Sequence, residues 1–228
     1  MKTRAKIALC CVILPFLLAT SACGMGASAQ LANELRFPLE DITSITISYD
    51  EEAIHFYTCS GDMLTIKEYM SADRRNYHAK VREKRDSIHV SEGGKPLFGK
   101  GFTRYVEVYL PSTYRHSLTV TSTSGQVDLS DVKLDLSRLR IDNKSGQTNL
   151  SSARAREMHL SSTSGRIEGG LLQAYSIRLE TTSGQITCDE LNGEVEYTTT
   201  SGDLVVRAAS GAGSYRADNS GALQVHYQ

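Results

Sequence analysis

The first candidates for chemistry in this 228-residue chain are carboxylates. Asp128, Asp131, Asp135, Asp142, Glu168, Glu180, Asp189 and Glu190 all fall in its second half. Paired acids of this kind protonate a leaving group and activate water in glycan cleavage. The other reacting groups are more scattered. His55, His78, His89, His116, His159 and His226 do not recur at metal-ligand spacing, and no G-x-S-x-G or Ser-His-Asp order stands out. The calcium-roll nonapeptide is also absent. Cysteines stand at 10, 11, 23, 59 and 188, too few beyond the N-terminus for a disulfide framework; a single Cys59–Cys188 bridge is left open. Whether the acids can cooperate depends on the elements that carry them.

Those elements repeat. Ser-Gly recurs at Ser124-Gly125, Ser145-Gly146, Ser164-Gly165, Ser183-Gly184, Ser201-Gly202 and Ser220-Gly221, with steps of 21, 19, 19, 18 and 19 residues between glycines. Two residues after each Gly come Val127, Thr148, Ile167, Ile186, Leu204 and Leu223. Four after it come Leu129, Leu150, Gly169, Cys188, Val206 and Val225, with mostly polar residues between. That period of two marks a strand with one buried face. A second strand precedes each corner, with Leu118, Leu139, Met158, Ile177 and Val195 six residues before the Ser and Val120, Ile141, Leu160, Leu179 and Tyr197 four before it. Two before it runs a polar column: Ser122, Asn143, Ser162, Thr181, Thr199 and Asp218. Gly at the corner permits backbone angles that other residues resist, and Ser satisfies nearby backbone groups. One such unit cannot bury its apolar side, but stacked units can.

The pattern therefore predicts an all-β protein, a single-stranded β-helix-like solenoid with coils of about 19 residues and two short strands per coil. A sandwich of hairpins is the runner-up; it gives regular strand spacing but not constant columns. In the last coil Ser214 and Arg216 fall where apolar residues belong, with Tyr215 and Ala217 one place off. This reads as a register slip in a capping coil.

Stacking decides the acids. Asp128 and Glu168 share an outward column with Asn149 between, and Asp142 and Glu180 share another with Ser161 between. Two coils at ~4.8 Å each separate such pairs by about 10 Å, wide even for an inverting glycosidase. A solvated polar face is the better reading. Arg140/Asp142, His159/Ser161, Arg178/Glu180 and Glu196/Thr198 form an outward mixed-charge ladder that suits solubility or a docked partner. Cys188 aligns with a buried column and reads as core filler. No catalytic, cofactor or metal residue is assigned.

The segment before the repeats, residues 31–117, is less regular. Strand patterns cover Ile42 to Tyr49, Ala53 to Cys59, Asp62 to Ile66, Asn76 to Arg82, Ser87 to Val90 and Tyr105 to Leu110, with Ser60-Gly61 echoing a repeat corner. These strands are expected to start the same stack with longer loops, making one continuous domain with the solenoid of residues 118–228. The basic stretch of Arg74, Arg75, Lys80, Arg82, Lys84 and Arg85 is interleaved with Asp73, Glu83 and Asp86, as in a strand pair whose charges discourage edge pairing.

Residues 1–29 follow the plan of a secretory signal peptide: Lys2, Arg4 and Lys6, an apolar run from Ile7 to Ala19, then small residues. The run is ~13 residues against the ~20 of a membrane span. Ala19-Thr20-Ser21-Ala22-Cys23 resembles a lipobox, with cleavage before Cys23 and lipid on its thiol, although Thr20 stands where Leu is usual. The rival is an A-x-A site, Ala27-Ser28-Ala29, releasing a soluble protein at Gln30. Losing the leader's three cations moves the net charge from -1 to about -4, which gives no nucleic-acid footprint. No Trp and 7% aromatics make a thin inventory for stacking sugars.

The strand Val106-Glu107-Val108-Tyr109-Leu110-Pro111, followed by the Ser-Gly series, resembles the bacterial "putative adhesin" domain family. The six corners and Tyr105 to Pro111 carry the resemblance directly, over about 120 residues; a weaker match extends it to roughly residues 40–228. It implies a β-helical fold, an exported or membrane-anchored location in the cell envelope, and a role in adhesion or envelope stress sensing. It brings no catalytic residues with it. The expected protein is a non-enzymatic surface binding or scaffold module. It would be held to the membrane through an N-terminal lipid, facing outside the cytoplasm, and would meet an envelope protein or polysaccharide. A glycan-active enzyme is the alternative.

Overall fold

A computed structural model describes residues 28–96 and 101–228. The leader up to residue 27, with Cys10, Cys11 and Cys23, lies outside the described residues. Among those described there is no helix. The N-terminal strands are β1 (Gln30–Pro38), β2 (Ser44–Tyr49), β3 (Ala53–Cys59), β4 (Met63–Met70), β5 (Lys80–Glu83), β6 (Ser87–Ser91), β7 (Arg104–Pro111) and β8 (Ser117–Ser122). The repeats supply β9 (Val127–Asn143), β10 (Gln147–Ser162), β11 (Arg166–Thr181), β12 (Gln185–Thr199), β13 (Asp203–Ser210), β14 (Gly213–Ala217) and β15 (Leu223–Tyr227).

The repeats wind as a parallel β-solenoid. Each long strand bends around the coil and pairs in parallel with the next: Val127 with Thr148, Thr148 with Ile167, Ile167 with Ile186, and Ile186 with Leu204. The expected columns are therefore real ribs. Val127, Ile167, Ile186 and Leu204 are fully buried, as are Leu118, Leu139, Leu160 and Leu179. Beyond the two strands read from sequence, the connection between them is itself paired, Ser152–Ala155 against Lys133–Leu136 and Leu171–Gln173 against Glu190–Asn192. Each coil thus has three walls. The first follows the Ser-Gly corner, the second is this middle segment, and the third leads back to the next corner.

The corner glycines do not need unusual backbone angles. Positive φ among the described residues occurs at Gly61, Gly101, Gly193 and Gly211, and at none of the Ser-Gly corners. What excludes a side chain there is stacking. A Cβ on Gly146 would overlap the carbonyl oxygen of Gly125, one on Gly165 that of Gly146, and so on through Gly184, Gly202 and Gly221. The polar column satisfies the backbone, not the corner serines. Ser122, Asn143, Ser162, Thr181 and Thr199 are buried, and each accepts the amide N–H of the glycine three residues on, at 2.6–3.1 Å. Ser60-Gly61 is not a repeat corner: Gly61, at φ 91°, turns the chain with no neighbour near its Cβ position.

Differences in coil length are absorbed at bends. The 21-residue step places Ser130, Asp131 and Val132 where the next coil has Ser151 alone. The 18-residue step places Gly193, at φ 142°, where the previous coil has Ala174 and Tyr175. The last coil corrects the expected register slip. Tyr215 pairs with Tyr197 and Ala217 with Thr199, so Tyr215 faces inward and Ser214 and Arg216 face out. The extra residue lies between Ala217 and Gly221, which displaces Asp218 from the capping column; Asp218 instead bonds Arg216.

The N-terminal strands extend the same walls, but out of chain order. β2 and β3 form the coil beneath β8 and β9, while β6 and β7, later in sequence, stack on the far side of β2 and β3. The chain then crosses from β7 past that coil to β8. Antiparallel strands complete this end: β4 and β1 beyond β7, and β5 beyond β6. β5 carries Lys80, Arg82 and Glu83 on an outermost strand, where charge opposes further pairing.

Candidate functional site

The third wall holds the outward ladder at a fixed pitch, because its strands pair residue for residue. Arg140 reaches Asp142 on its own strand at 2.6 Å and the Nδ1 of His159 on the next coil at 2.9 Å. The Nε2 of His159 lies 3.0 Å from Glu180, and Arg178 grips Glu180 and comes within 3.8 Å of Glu196. Ser161 donates to Asp142. If the Arg140 guanidinium donates to Nδ1, the imidazole must be the neutral tautomer that donates from Nε2 to Glu180. Burial alone would raise the Glu180 pKa, but hydrogen bonds from Arg178 and His159 outweigh it and hold the carboxyl below its ordinary range. A shallow hollow of about 270 Å³ runs along the corner between this ladder and the exposed Lys144, Thr163, Thr182 and Thr200.

Of the acids singled out from sequence, several lean on basic side chains rather than on one another. Asp128 lies 3.6 Å from His55, Asp135 3.4 Å from Arg115, Glu168 3.4 Å from Arg166 and Asp189 2.6 Å from Arg207. Among the described residues no group of three or more His, Cys, Asp or Glu could hold a metal ion. The corner serines Ser124, Ser145 and Ser164 are exposed. Cys59 and Cys188 are free thiols; Cys188 is fully buried in its core column, where burial pushes its pKa up to about 12.

A second polar centre was not expected. Arg104, at the start of β7, has a fully buried side chain that donates to Glu52 at 2.7 Å, to Glu92 at 3.1 Å and to the Tyr77 carbonyl at 2.9 Å. Lys95 lies 3.3 Å from Glu52 and 3.5 Å from Glu92. The two carboxyls titrate as a pair. Against the cost of burial, the Glu92 hydrogen bond and Arg104 hold Glu52 down at about 2. Burial and the Glu52 charge push Glu92 up to about 7. Next to this centre, Glu68 is buried and accepts from Tyr49, Asn33 and the Ala79 amide. Burial, then Glu68, pushes the Tyr49 pKa well up. The pair sits beneath the first repeat corner, where a Cβ on Gly125 would meet the Glu52 carbonyl. Enclosed this way, it braces the N-terminal end of the stack. A sequence signal for it existed: alternation puts Arg104 in line with Val106 and Val108, and Glu68 in line with Leu64 and Ile66, on buried faces.

The fold and surface define a class: a three-walled parallel β-solenoid that displays stacked polar columns on a rigid core. The chain belongs to the Toastrack DUF4097 family, whose model matches residues 42–228. Among solved structures it resembles a putative adhesin from Bacteroides fragilis at 17% identity and TM-score 0.56, covering 89% of this chain and 100% of that one. It also resembles a putative adhesin from Parabacteroides distasonis at 13% identity and TM-score 0.50, covering 89% and 98%. At these identities the likeness establishes the fold. No curated protein matches the chain.

Proposed function

We propose that the chain is an exported, non-enzymatic surface module that binds or scaffolds other envelope components. Its anchor is a lipid on Cys23, and its docking face is the third-wall ladder. One observation carries this reading: six charged or imidazole side chains, from Arg140 to Glu196, are locked together across four successive coils on an exposed face. Such a surface is preorganised, so a complementary partner loses little side-chain freedom on binding it. That both similar structures are putative adhesins supports an adhesive role, and the leader supports export.

The test is binding of the purified protein to isolated envelopes, comparing the natural chain with the Arg140→Glu/Arg178→Glu double variant. A loss of about tenfold or more in affinity is expected. Unchanged binding removes the ladder as the docking face, and release of reducing sugar from envelope polysaccharide overturns the non-enzymatic reading. Mass spectrometry of the mature N-terminus settles the anchor: lipid on Cys23, or an unmodified start at Gln30.

A further inference from the structure

The second wall carries a site that the ladder does not explain. Tyr175 is 78% exposed, far more than the other large apolar side chains among the described residues. It stands at the bend between the second and third walls. In the next coil Gly193 replaces the Ala174-Tyr175 pair, and Gly211 does the same one coil further on. A Cβ on Gly193 would overlap the Ala174 carbonyl and one on Gly211 the Gly193 carbonyl, so this step in the wall stays bare. The result is an open hollow of about 570 Å³ with the Tyr175 ring at its lip.

The other side of the hollow is a column of polar groups, one per coil: Arg154, Gln173, Asn192 and Ser210. Arg154 donates to the Gln173 amide oxygen at 3.1 and 3.2 Å, and Ser210 donates to the Asn192 amide oxygen at 2.7 Å. Three coil steps at ~4.8 Å spread these groups over about 14 Å along the solenoid axis. Beyond Arg154 a second hollow of about 640 Å³ continues the groove past Lys133 toward Arg115. Three carboxylates line the groove as well: Asp135, paired with Arg115 at 3.4 Å, Asp131, and Glu194 beside Tyr175. Among the described residues neither Arg154 nor Lys133 is held in an ion pair with any of them, so an anion on this wall would meet these two cations at the Arg154 end, away from Glu194.

We propose that this groove binds a linear glycan with carboxylate-bearing sugar units, lying parallel to the solenoid axis. A pyranose presents an apolar C–H face that packs on an aromatic ring, and hydroxyls that pair with planar amides. Tyr175 supplies the ring, Gln173 and Asn192 the amides. Arg154, with Nε and Nη2 held by Gln173, keeps Nη1 to donate to a carboxylate, and Lys133 supplies a second cation. The regular pitch of the column suits a polymer, whose units also recur at a fixed step. The site lies on a different wall from the ladder and rests on the surface-module reading only in requiring an exported chain.

The probes are tetragalacturonate, a carboxylate-bearing linear sugar, and cellotetraose, a neutral one, titrated calorimetrically into the full chain. Tetragalacturonate should bind and cellotetraose should bind at least about tenfold more weakly. Tyr175→Ala and Arg154→Gln should each weaken tetragalacturonate by about tenfold or more, a difference of about 1.4 kcal/mol. Both residues are exposed, so thermal unfolding should be unchanged and loss of binding cannot be blamed on misfolding. Tyr227→Ala, at the far end of the stack, should bind as the natural chain does. No binding of tetragalacturonate, equal binding of cellotetraose, or full affinity in both groove variants overturns the proposal. A chain that binds envelopes but neither sugar loses the glycan site and keeps the surface-module reading.

Discussion

Replacing Gly165 by Ala adds one methyl group to a corner that has no room for it. The new Cβ would overlap the Gly146 carbonyl oxygen and stand 3.0 Å from both Ser145 carbon and Ser162 Oγ. Two of those obstacles are backbone and cannot rotate away, so the coils must part locally. The parting strains the corner bonds from Thr163 and Ser164 N–H to the Lys144 carbonyl, at 2.9 and 2.8 Å, and the 2.8 Å cap from Gly165 N–H to Ser162. Weakening two or three such bonds at about 1 kcal/mol each gives a cost of about 2–3 kcal/mol, matching the usual penalty for overpacking. In a chain of this length that lowers the midpoint of thermal unfolding by about 4–12 °C. The assay is urea unfolding followed by far-UV circular dichroism, with Ser164→Ala as the control, since Ser164 is exposed and should be within about 0.5 kcal/mol of the natural chain. Gly165→Ala matching that control would refute the claim that stacking, rather than backbone freedom, selects glycine at the corners.

Other outcomes follow from the same structure. Ile167→Asp or Leu179→Asp should cost several kcal/mol, about 3–5, by burying an unpaired charge in a fully enclosed column; a retained melting temperature would contradict the burial. Thr181→Val keeps the shape but leaves the Gly184 N–H without its 2.7 Å acceptor, and urea unfolding should show a loss of about 1–3 kcal/mol. Arg104→Met should destabilise by about 3–5 kcal/mol, because Glu52 and Glu92 stay behind without their buried cation. The same centre sets a pH profile. Glu52 is lowered from 4.5 to about 2, so the stability it contributes is lost as pH falls from 4.5 towards 2. Glu92 is raised from 4.5 to about 7, so the folded state holds the extra proton and stability declines as pH rises from 4.5 to 7. The Glu92 contribution should be about 1–2 kcal/mol after solvent screening of a partly exposed group, and a Glu92→Gln variant should lack that decline when unfolding is measured across the range.

The repeat half was legible because one physical demand recurs in every coil. Inward positions must be apolar and must coincide from coil to coil, so Val127, Ile167, Ile186 and Leu204 print a column into the sequence. The second wall left a fainter mark. Its inward residues run from Val132, Leu134 and Leu136 in one coil to Ala153 and Ala155 in the next, and small side chains at bends do not read as a strand. In the last coil the spacing from Ser220 gives a false register, because the extra residue sits just before that corner. The N-terminal crossover had no signature, since strand patterns record which residues face inward and not which coil they join. Arg104, Glu52 and Glu92 come from separate segments, and only the inward phase of Arg104 hinted at a buried cation. The groove beside Tyr175 leaves no mark in the sequence, where a missing residue looks only like a short step.

The route of the chain past β2 and β3 has a kinetic consequence. That coil is the innermost layer of its end, with one edge closed by β6 and β7 and the other by β8 and β9, all of which come later in sequence. A chain emerging N-terminus first therefore holds β2 and β3 with one edge bare until β6 and β7 return to it, and with the other bare until β8 and β9 follow, past the midpoint of the chain. The repeats above can then zip upward one layer at a time on a finished template, but that template waits on distant partners. The non-local pairings gathered at the irregular end are expected to make it the slower part to fold, ahead of the regular repeats that stack on it.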